Sequence, residues 1–500
     1  MAIEREVKLE AWAGFTLPGF DRVAEGVTAV ARNPLTLSAV YYDTVDLRLM
    51  RWGVTLRHRS GDGDGAEWTL KLPDGDGGDG PELVRRELTF DAPAGPVPAA
   101  AAAVVMSYTR GEALLAVAQL RTVRTGVDLM DQEGTKLAEV VEDEVSVLHR
   151  GRVGTRFREI EVELAPGVDN TFLAAVVDSL QTAGAGKPDS MPKVVRALGA
   201  RALEPPDVIP VVLGARPSAA EALRATISAA VLALLRHDPG VRVGEDPEDV
   251  RRARVAVRRL RSDLRTFGPL LDADRVDPMR DELRWLVGML GAVRDIDMLQ
   301  ERFYRQGADL AGSGTTGLDP LFRQLIAGRD EAQAGLMAAM ASPRYLKLID
   351  GLVGVALRPP CSPSASGQAA TVLPSFVSRQ WKQLRRCVRN LPPSPAPAGL
   401  HRVLVRAERA RYASDASVAV VGRKAESLTQ ALADLQTVLG DHRDALVAEA
   451  WLRRCDVSGP HLTSTVSGLI AMQQAEAQGC GGQWRVAWRR AAAKPHRSWL

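Results

Sequence analysis

Glu4, Glu6, Lys8 and Glu10 alternate with Ile3, Val7 and Leu9 at the start of the chain. In an extended strand successive side chains point to opposite faces, so the four charged residues share one face and the apolar ones the other. Near residue 160 the pattern returns: Glu159, Glu161 and Glu163 alternate with Ile160, Val162 and Leu164. Carboxylates aligned on one strand face repel one another unless a cation lies between them. Their hard oxygen donors suit Mg²⁺ or Mn²⁺. Other strand-like stretches carry cations on one face: Arg57 with Arg59, then Lys71, then Arg85 beside Glu87. Such cations hold phosphate oxygens that a metal bridges, and phosphoryl transfer needs little beyond positioning and charge neutralisation. Any one of these strands could be the solvated face of an ordinary antiparallel sheet. Their repetition favours a closed barrel with a charged lumen.

A second set of cations follows a helical period. Arg251, Arg254, Arg258, Arg261 and Arg265 are spaced three, four, three and four, which places them on one helix face of roughly 21 Å at about 1.5 Å per residue. Val257, Leu260, Leu264 and Phe267 keep the same spacing on the adjacent face and read as core. Arg252 and Arg259 widen the basic stripe, and Asp263 is almost the only acid within it. Guanidinium groups suit bidentate phosphate contacts, so a polyanion is the expected ligand. The alternative is a solvated face with acidic partners elsewhere.

The elements that must position these residues divide the chain in two. Residues 1–200 carry 22 Lys and Arg against 30 Asp and Glu, and residues 201–500 carry 42 against 31, so a net charge of +3 conceals an acidic part and a basic part. The acidic part reads as short strands separated by turn clusters at 61–65 and 74–80, with helical pieces near Gly111–Leu120 and Thr171–Thr182. Glu204-Pro205-Pro206 opens a linker. Ser218 with Glu221 three residues on forms a capping-box pattern that starts a helical region. A Pro- and Ser-rich break from Arg358 to about Pro374 divides this region into two similar halves. Leu290-Gly291-Ala292-Val293-Arg294-Asp295 recurs as Leu439-Gly440-Asp441-His442-Arg443-Asp444, and Arg258-Arg259-Leu260-Arg261 recurs as Glu408-Arg409-Ala410-Arg411. The expected architecture is therefore α+β and multidomain. A barrel domain occupies 1–202 and a linker 203–216. An all-α domain occupies 217–495, in repeats of about 217–355 and 372–495.

No apolar run of roughly 18 residues suggests a membrane span, and the charge at Glu4 argues against a signal peptide. Cys361, Cys387, Cys455 and Cys480 are scattered without a CxxC pair, which suggests neither zinc nor a disulfide framework. A cytoplasmic setting is expected.

Glu4-x-Glu6-x-Lys8 resembles the ExExK signature of CYTH proteins, the triphosphate tunnel metalloenzymes. The likeness continues in order over about residues 1–200: Tyr41-Tyr42-Asp43-Thr44 with Leu56-Arg57-x-Arg59, Trp68-Thr69-Leu70-Lys71, Arg85-x-Glu87, Arg121 or Arg124, Glu139 and Asp143, Glu159-x-Glu161-x-Glu163, and Lys193. The resemblance implies an antiparallel β-barrel tunnel with flanking helices that binds triphosphates with Mg²⁺ or Mn²⁺. It implies that Glu4, Glu6, Glu161 and Glu163 ligate metal, joined by Asp143 and Glu159. Arg57, Arg59, Lys71, Arg85, one of Arg121 and Arg124, and Lys193 would hold substrate. Lys8 and Glu6 would be catalytic, with Lys8 near the terminal phosphate or the attacking water.

Residues 215–495 resemble the CHAD domain, a helical domain associated with inorganic polyphosphate. The likeness rests on Arg254-Val255-Ala256-Val257-Arg258-Arg259-Leu260-Arg261, on Leu290-Gly291-x-x-Arg294-Asp295-x-Asp297, and on Leu400-His401 through Arg409-x-Arg411-Tyr412. It implies that Arg251, Arg254, Arg258, Arg261, Arg265, His401, Arg409 and Arg411 contact polyphosphate. Arg251 stands where a histidine is usual, and Leu404 and Glu408 stand where basic residues are usual, which weakens the expected contribution of the second repeat.

The two resemblances imply an Mg²⁺- or Mn²⁺-dependent phosphoanhydride hydrolase acting on inorganic triphosphate or short polyphosphate, with long polyphosphate gripped by the helices and polyphosphate granules as a site of association. The alternatives are a non-catalytic polyphosphate-binding or granule-targeting protein and a CYTH-type adenylate cyclase. Nucleic acid is the less favoured polyanion, because no aromatics interleave with the arginines.

Overall fold

In a computed structural model the chain divides into two compact units, residues 1–206 and 207–500. The structure describes residues 2–20, 23–61, 66–73, 83–189, 191–311, 318–456 and 460–500. The glycine-rich turn residues 62–65 and 74–82 lie outside that set.

The first unit is a ring of eight antiparallel strands: β1 (Ala2–Glu10), β3 (Leu35–Asp43), β4 (Thr55–Gly61), β5 (Glu67–Pro73), β6 (Leu83–Phe90), β7 (Leu115–Met130), β8 (Lys136–His149) and β9 (Arg152–Leu164). Their order is β7-β3-β4-β5-β6-β1-β9-β8, and β8 closes back on β7; a short strand β2 (Thr28–Ala31) continues the β3 edge of β7. The stretch expected to be helical at Gly111–Leu120 instead enters β7 at Leu115. Pairing with β3 and β8 fixes it as strand, and the helical turns lie upstream at Ala99–Val104 and Met106–Thr109.

Strand alternation turns this barrel inside out relative to an ordinary core. Val7, Leu9, Ile160 and Val162 face outward and are buried beneath helix α1 (Asn170–Thr182), which contributes Leu173, Val176 and Leu180. Asp169 caps that helix by accepting from the Thr171 amide. Each apolar side chain so covered stabilises the wall by about 1.5–3 kcal/mol. The charged parity is left to the lumen. After α1 the chain returns alongside β1, where the Gly186 and Asp189 amides donate to the Glu10 and Lys8 carbonyls, and it then enters helix α2 (Lys193–Leu198). Val194 and Val195 pack there against the lumen-side residues Tyr41, Leu120, Val145 and Val147, so that end of the barrel is apolar.

The second unit is all helix: α3 (Ala219–Val243), α4 (Pro247–Thr266), α5 (Ala273–Ala311), α6 (Asp319–Met340), α7 (Pro343–Leu357), α8 (Ala369–Arg389), α9 (Pro397–Asp415), α10 (Arg423–Leu452) and α11 (Pro460–Ala491). The Ser218–Glu221 capping box forms in full at the head of α3. Val257, Leu260, Leu264 and Phe267 are buried, as their spacing requires. The break between the repeats is shorter than its composition suggests, since α8 begins at Ala369 and carries Pro374 in its first turns. No helix among the described residues is long and apolar enough to cross a membrane.

Gly126 lies on β7 close against β8: a Cβ there would meet the Val140 carbonyl oxygen and stand 2.9 Å from the Val141 Cα. Gly126→Ala is therefore expected to destabilise the barrel by about 1–3 kcal/mol, read as a lowered unfolding midpoint in denaturant.

Candidate functional site

Register places the charges in two arcs around the lumen. Along β1, β9 and β8, Glu6 stands opposite Glu163, which stands opposite Glu139; one tier deeper Lys8 faces Glu161; deeper again Glu10 faces Glu159, which faces Asp143. The other arc carries Arg124 on β7, Tyr41 on β3, Arg57 and Arg59 on β4, Lys71 on β5 and Arg85 on β6. With Glu6, Lys8, Glu139, Glu161 and Glu163 these line a cavity of about 300 Å³.

The deep end is a dense ionic network. Asp143 is 0% exposed and Glu159 1%. Arg124 donates to both Asp143 oxygens at 2.9 and 2.7 Å and to Glu161 at 2.8 Å. Lys193 reaches Asp143 at 2.5 Å, Glu161 at 2.9 Å and Glu159 at 3.3 Å. Lys8 pairs closely with Glu161 and lies 3.4 Å from Glu6. Burial would lower the Lys8 pKa, but Glu161 and Glu6 outweigh it and hold the ammonium above its ordinary range. Burial would raise Glu6, but Lys8 outweighs it and the carboxyl ends below its ordinary value. Burial dominates at Glu159, whose pKa is raised despite Lys193 and Lys8. Asp143, expected beside a metal, is thus engaged by Arg124 and Lys193, whereas Glu159, expected there too, has Lys193 at 3.3 Å and no hydrogen-bond partner for either oxygen.

The mouth is less compensated. Lys71 pairs with Glu4 and lies 3.0 Å from Glu87, and Arg59 reaches Glu67 at 2.6 Å. Among the described residues no carboxylate lies within ion-pair distance of Arg57 or Arg85, nor any cation of Glu163. Tyr41 shares a hydrogen bond with Arg57. Partial desolvation and the neighbouring carboxylate of Glu4 push the Glu163 carboxyl up to about 7. Glu6 Oε1 is buried without a hydrogen-bond partner.

Among the described residues no three His, Cys, Asp or Glu side chains stand gathered to hold a metal ion. The donor chemistry at the mouth nevertheless fits a hard divalent cation. Among the described residues Glu163 has no cation at ion-pair distance and Glu6 Oε1 no hydrogen-bond partner, while Glu4 beside them is held by Lys71, so these carboxylates retain oxygen donors for such an ion.

The choice between Arg121 and Arg124 follows from parity. Arg124 faces Asp143 inside, whereas Arg121 pairs with Ser38 and Ser146 and is exposed on the outer wall. Tyr41 was legible in the sequence only as part of a family block, without a role in the site, and Arg32, which enters the cavity lining and pairs with Glu139, was not singled out.

The helical unit has its own cavity of about 680 Å³, formed where α4 and α5 of the first repeat meet α9 and α10 of the second. Arg254, Arg258, Arg261 and Arg265 line it from α4, His401, Arg409 and Arg411 from α9, and Arg294 and Arg443 from the repeated motif. Arg251 does not: its guanidinium is taken by Glu248 three residues earlier, at 2.5 Å through both Nε and Nη2. Nor does Arg259 widen the stripe, since it turns to Asp415 at 2.5 Å and Asp263 at 3.6 Å. Burial and the guanidiniums of Arg265, Arg406 and Arg261 push the pKa of Arg409 down to about 10. Burial and Arg284, Arg265 and Arg280 lower that of Arg261.

Residues 2–195 match the CYTH domain family and residues 225–453 match the CHAD domain family. An uncharacterised protein of Mycobacterium tuberculosis (strain CDC 1551 / Oshkosh) is 30% identical over 98% of this chain and 96% of its own length. Among solved structures, PptA from Streptomyces chartreusis is 26% identical over 55% of this chain and 99% of that one, with a TM-score of 0.46. The CHAD domain from the plant Ricinus communis is 25% identical over 57% of this chain and 96% of that one, with a TM-score of 0.48.

The two candidate tunnel arginines should separate in stability. Arg124→Ala leaves buried Asp143 and Glu161 short of a partner and is expected to cost about 3–5 kcal/mol, whereas Arg121→Ala should stay within about 0.5 kcal/mol of the wild type. Urea unfolding of the two variants checks this, and equal losses would put both side chains on the same face.

Proposed function

We propose, for a chain that belongs to the CYTH–CHAD family, a CYTH domain followed by a CHAD domain, that the tunnel hydrolyses inorganic triphosphate or short polyphosphate with a divalent metal and that the helical unit grips longer polyphosphate. The observation that carries this reading is the pairing of uncompensated groups at the tunnel mouth. Arg57 and Arg85 have no carboxylate at ion-pair distance on one arc among the described residues, while on the other Glu163 has no cation and Glu6 Oε1 has no hydrogen-bond partner. A phosphate chain with its metal supplies both missing charges at once.

Glu4, Glu6 and Glu163 would hold the metal, which neutralises phosphate oxygens as charge moves during phosphoryl transfer. Arg57 and Arg85 would take the phosphate oxygens directly, with Lys71 and Arg59 released from Glu4 and Glu67 as the anion enters. Tyr41 holds the Arg57 guanidinium in place. Lys8 stays an ammonium, so it serves to stabilise charge on the phosphate rather than to abstract a proton. Glu6 stays a carboxylate at neutral pH and can orient a water or bind the metal.

In the helical unit the corresponding observation is the set Arg261, Arg265 and Arg409. Among the described residues none of the three has a carboxylate within ion-pair distance, and they repel one another across the cavity. Such a cluster persists at lower cost when a polyanion fills it.

A second reading has one observation in its favour: Lys8, Lys193 and Arg124 already neutralise the deep carboxylates, so the tunnel could hold polyphosphate without turnover. Phosphate release from inorganic triphosphate with Mg²⁺ or Mn²⁺ decides between the two. Glu6→Gln is expected to lower kcat by about a hundredfold or more with the unfolding midpoint kept, and EDTA to abolish turnover. Full activity in either case sinks the metal-dependent reading, and no release by the wild type favours the binding module.

For the helical unit, Arg261→Ala with Arg265→Ala and Arg409→Ala in the full chain should weaken binding of long-chain polyphosphate by about two orders of magnitude or more. Wild-type binding should fall steeply with salt. Undiminished binding by the triple variant, measured by filter retention, would contradict the assignment.

A further inference from the structure

Glu408 occupies a position at odds with its surroundings. It lies on α9 in a cavity lined by eight arginines, and it stands where the first repeat carries Arg258. Its Oε2 accepts from Nη2 of Arg258 itself at 2.6 Å, across 150 residues of sequence. The two positions related by the internal repeat thus meet face to face, and one has become the counter-ion of the other.

The remaining carboxylates of the cavity are weaker partners. Asp295 lies 3.5 Å from Arg443 and 3.9 Å from Arg254, and Asp444 lies 3.6 Å from Arg443. At the other end Arg261, Arg265 and Arg409 have no carboxylate at ion-pair distance among the described residues. The cavity is therefore graded, with cations that already own an anion at one end and cations that repel each other at the other. The closest internal pair is the one Glu408 makes.

We propose, on the reading that this cavity binds polyphosphate, that Glu408 is a built-in competitor for the ligand. It occupies Arg258 until a phosphate displaces it, and so sets the affinity of the cavity and leaves the first grip to the arginines without a carboxylate partner among the described residues, Arg261, Arg265, Arg409 and the Tyr412-stacked Arg411. A phosphate reaching Arg258 must separate a partly buried charge pair and leave Glu408 facing an anion, which offsets much of the gain from the new contact. A ligand long enough to engage the uncompensated end first can sustain that cost through its other contacts, and an isolated phosphate cannot.

The test is a double-mutant cycle in the full chain, read as affinity for long-chain polyphosphate at two salt concentrations, with thermal unfolding recorded for every variant. Glu408→Gln keeps the shape and removes the competitor. Affinity should rise about tenfold, and the logarithmic salt dependence should steepen by about one phosphate contact, because Arg258 becomes available. Arg258→Gln leaves Glu408 unpaired among the ligand's charges and should weaken binding by about tenfold or more. The double variant removes both charges together and should return to within about threefold of the wild type. If Glu408→Gln binds no tighter, or if the double variant stays as weak as Arg258→Gln, Glu408 is a structural clasp and the inference fails. Should Glu408→Gln unfold, the double variant against Arg258→Gln still decides. A wild type that binds no polyphosphate at all would instead overturn the function proposed for the cavity, and this inference with it.

Discussion

Moving a carboxylate out of water costs several kcal/mol even after the protein relaxes around it, and the barrel wall buries Glu6, Asp143, Glu159 and Glu161 together. That constraint governs the rest of the first unit. Strand order sets the acidic strands β1, β9 and β8 side by side and faces them with an arc of cationic strands. The chain returns along β1 after α1 so that Lys193 can enter among Asp143, Glu159 and Glu161. The apolar residues, displaced from the lumen, are covered from outside by α1 and at one end by α2. At the deep end Lys8, Arg124 and Lys193 answer Asp143 and Glu161 directly and Glu159 only at longer range. At the mouth the charges are answered less fully, and the shortfall has opposite signs on the two arcs.

The helical unit meets the same constraint with the sign reversed. Its repeats bring arginines together from two helices each, and burial together with neighbouring like charges depresses their basicity, most clearly at Arg409. Part of the excess is answered from inside: Glu248 takes Arg251, Asp415 takes Arg259, and Glu408 takes Arg258. What is left unanswered is the set of guanidiniums on which the proposed polyanion grip rests. Residue type alone would have counted all of these arginines alike.

Much of this was legible in the sequence, for definable reasons. The alternation in β1 and β9 assigned Glu4, Glu6, Lys8, Glu161 and Glu163 to one face, because a period of two admits no other reading. Arg121 and Arg124 differ in parity, yet neither parity could be called inward until the β7–β8 register set Arg124 against Asp143. Two pairings were local and readable but overlooked: Glu248 with Arg251 at i,i+3, and Arg259 with Asp263 at i,i+4. The Arg258–Glu408 pair was not readable, because it depends on how two repeats face each other. Glu408 read in isolation suggested only a weaker second repeat. The helix expected near Gly111–Leu120 failed because neighbouring strands on both sides decide the conformation of β7, and local propensity does not.

The central claim is that the tunnel mouth is short of positive charge on one arc and of negative charge on the other, and that one metal-bearing phosphate chain completes both. Anomalous diffraction from crystals grown with Mn²⁺ and a non-hydrolysable triphosphate tests this most directly. The account predicts a manganese peak against the carboxylates of Glu4, Glu6 and Glu163, with phosphate oxygens on Arg57 and Arg85. Manganese bound away from those carboxylates, or a triphosphate that leaves Arg57 and Arg85 untouched, would contradict it.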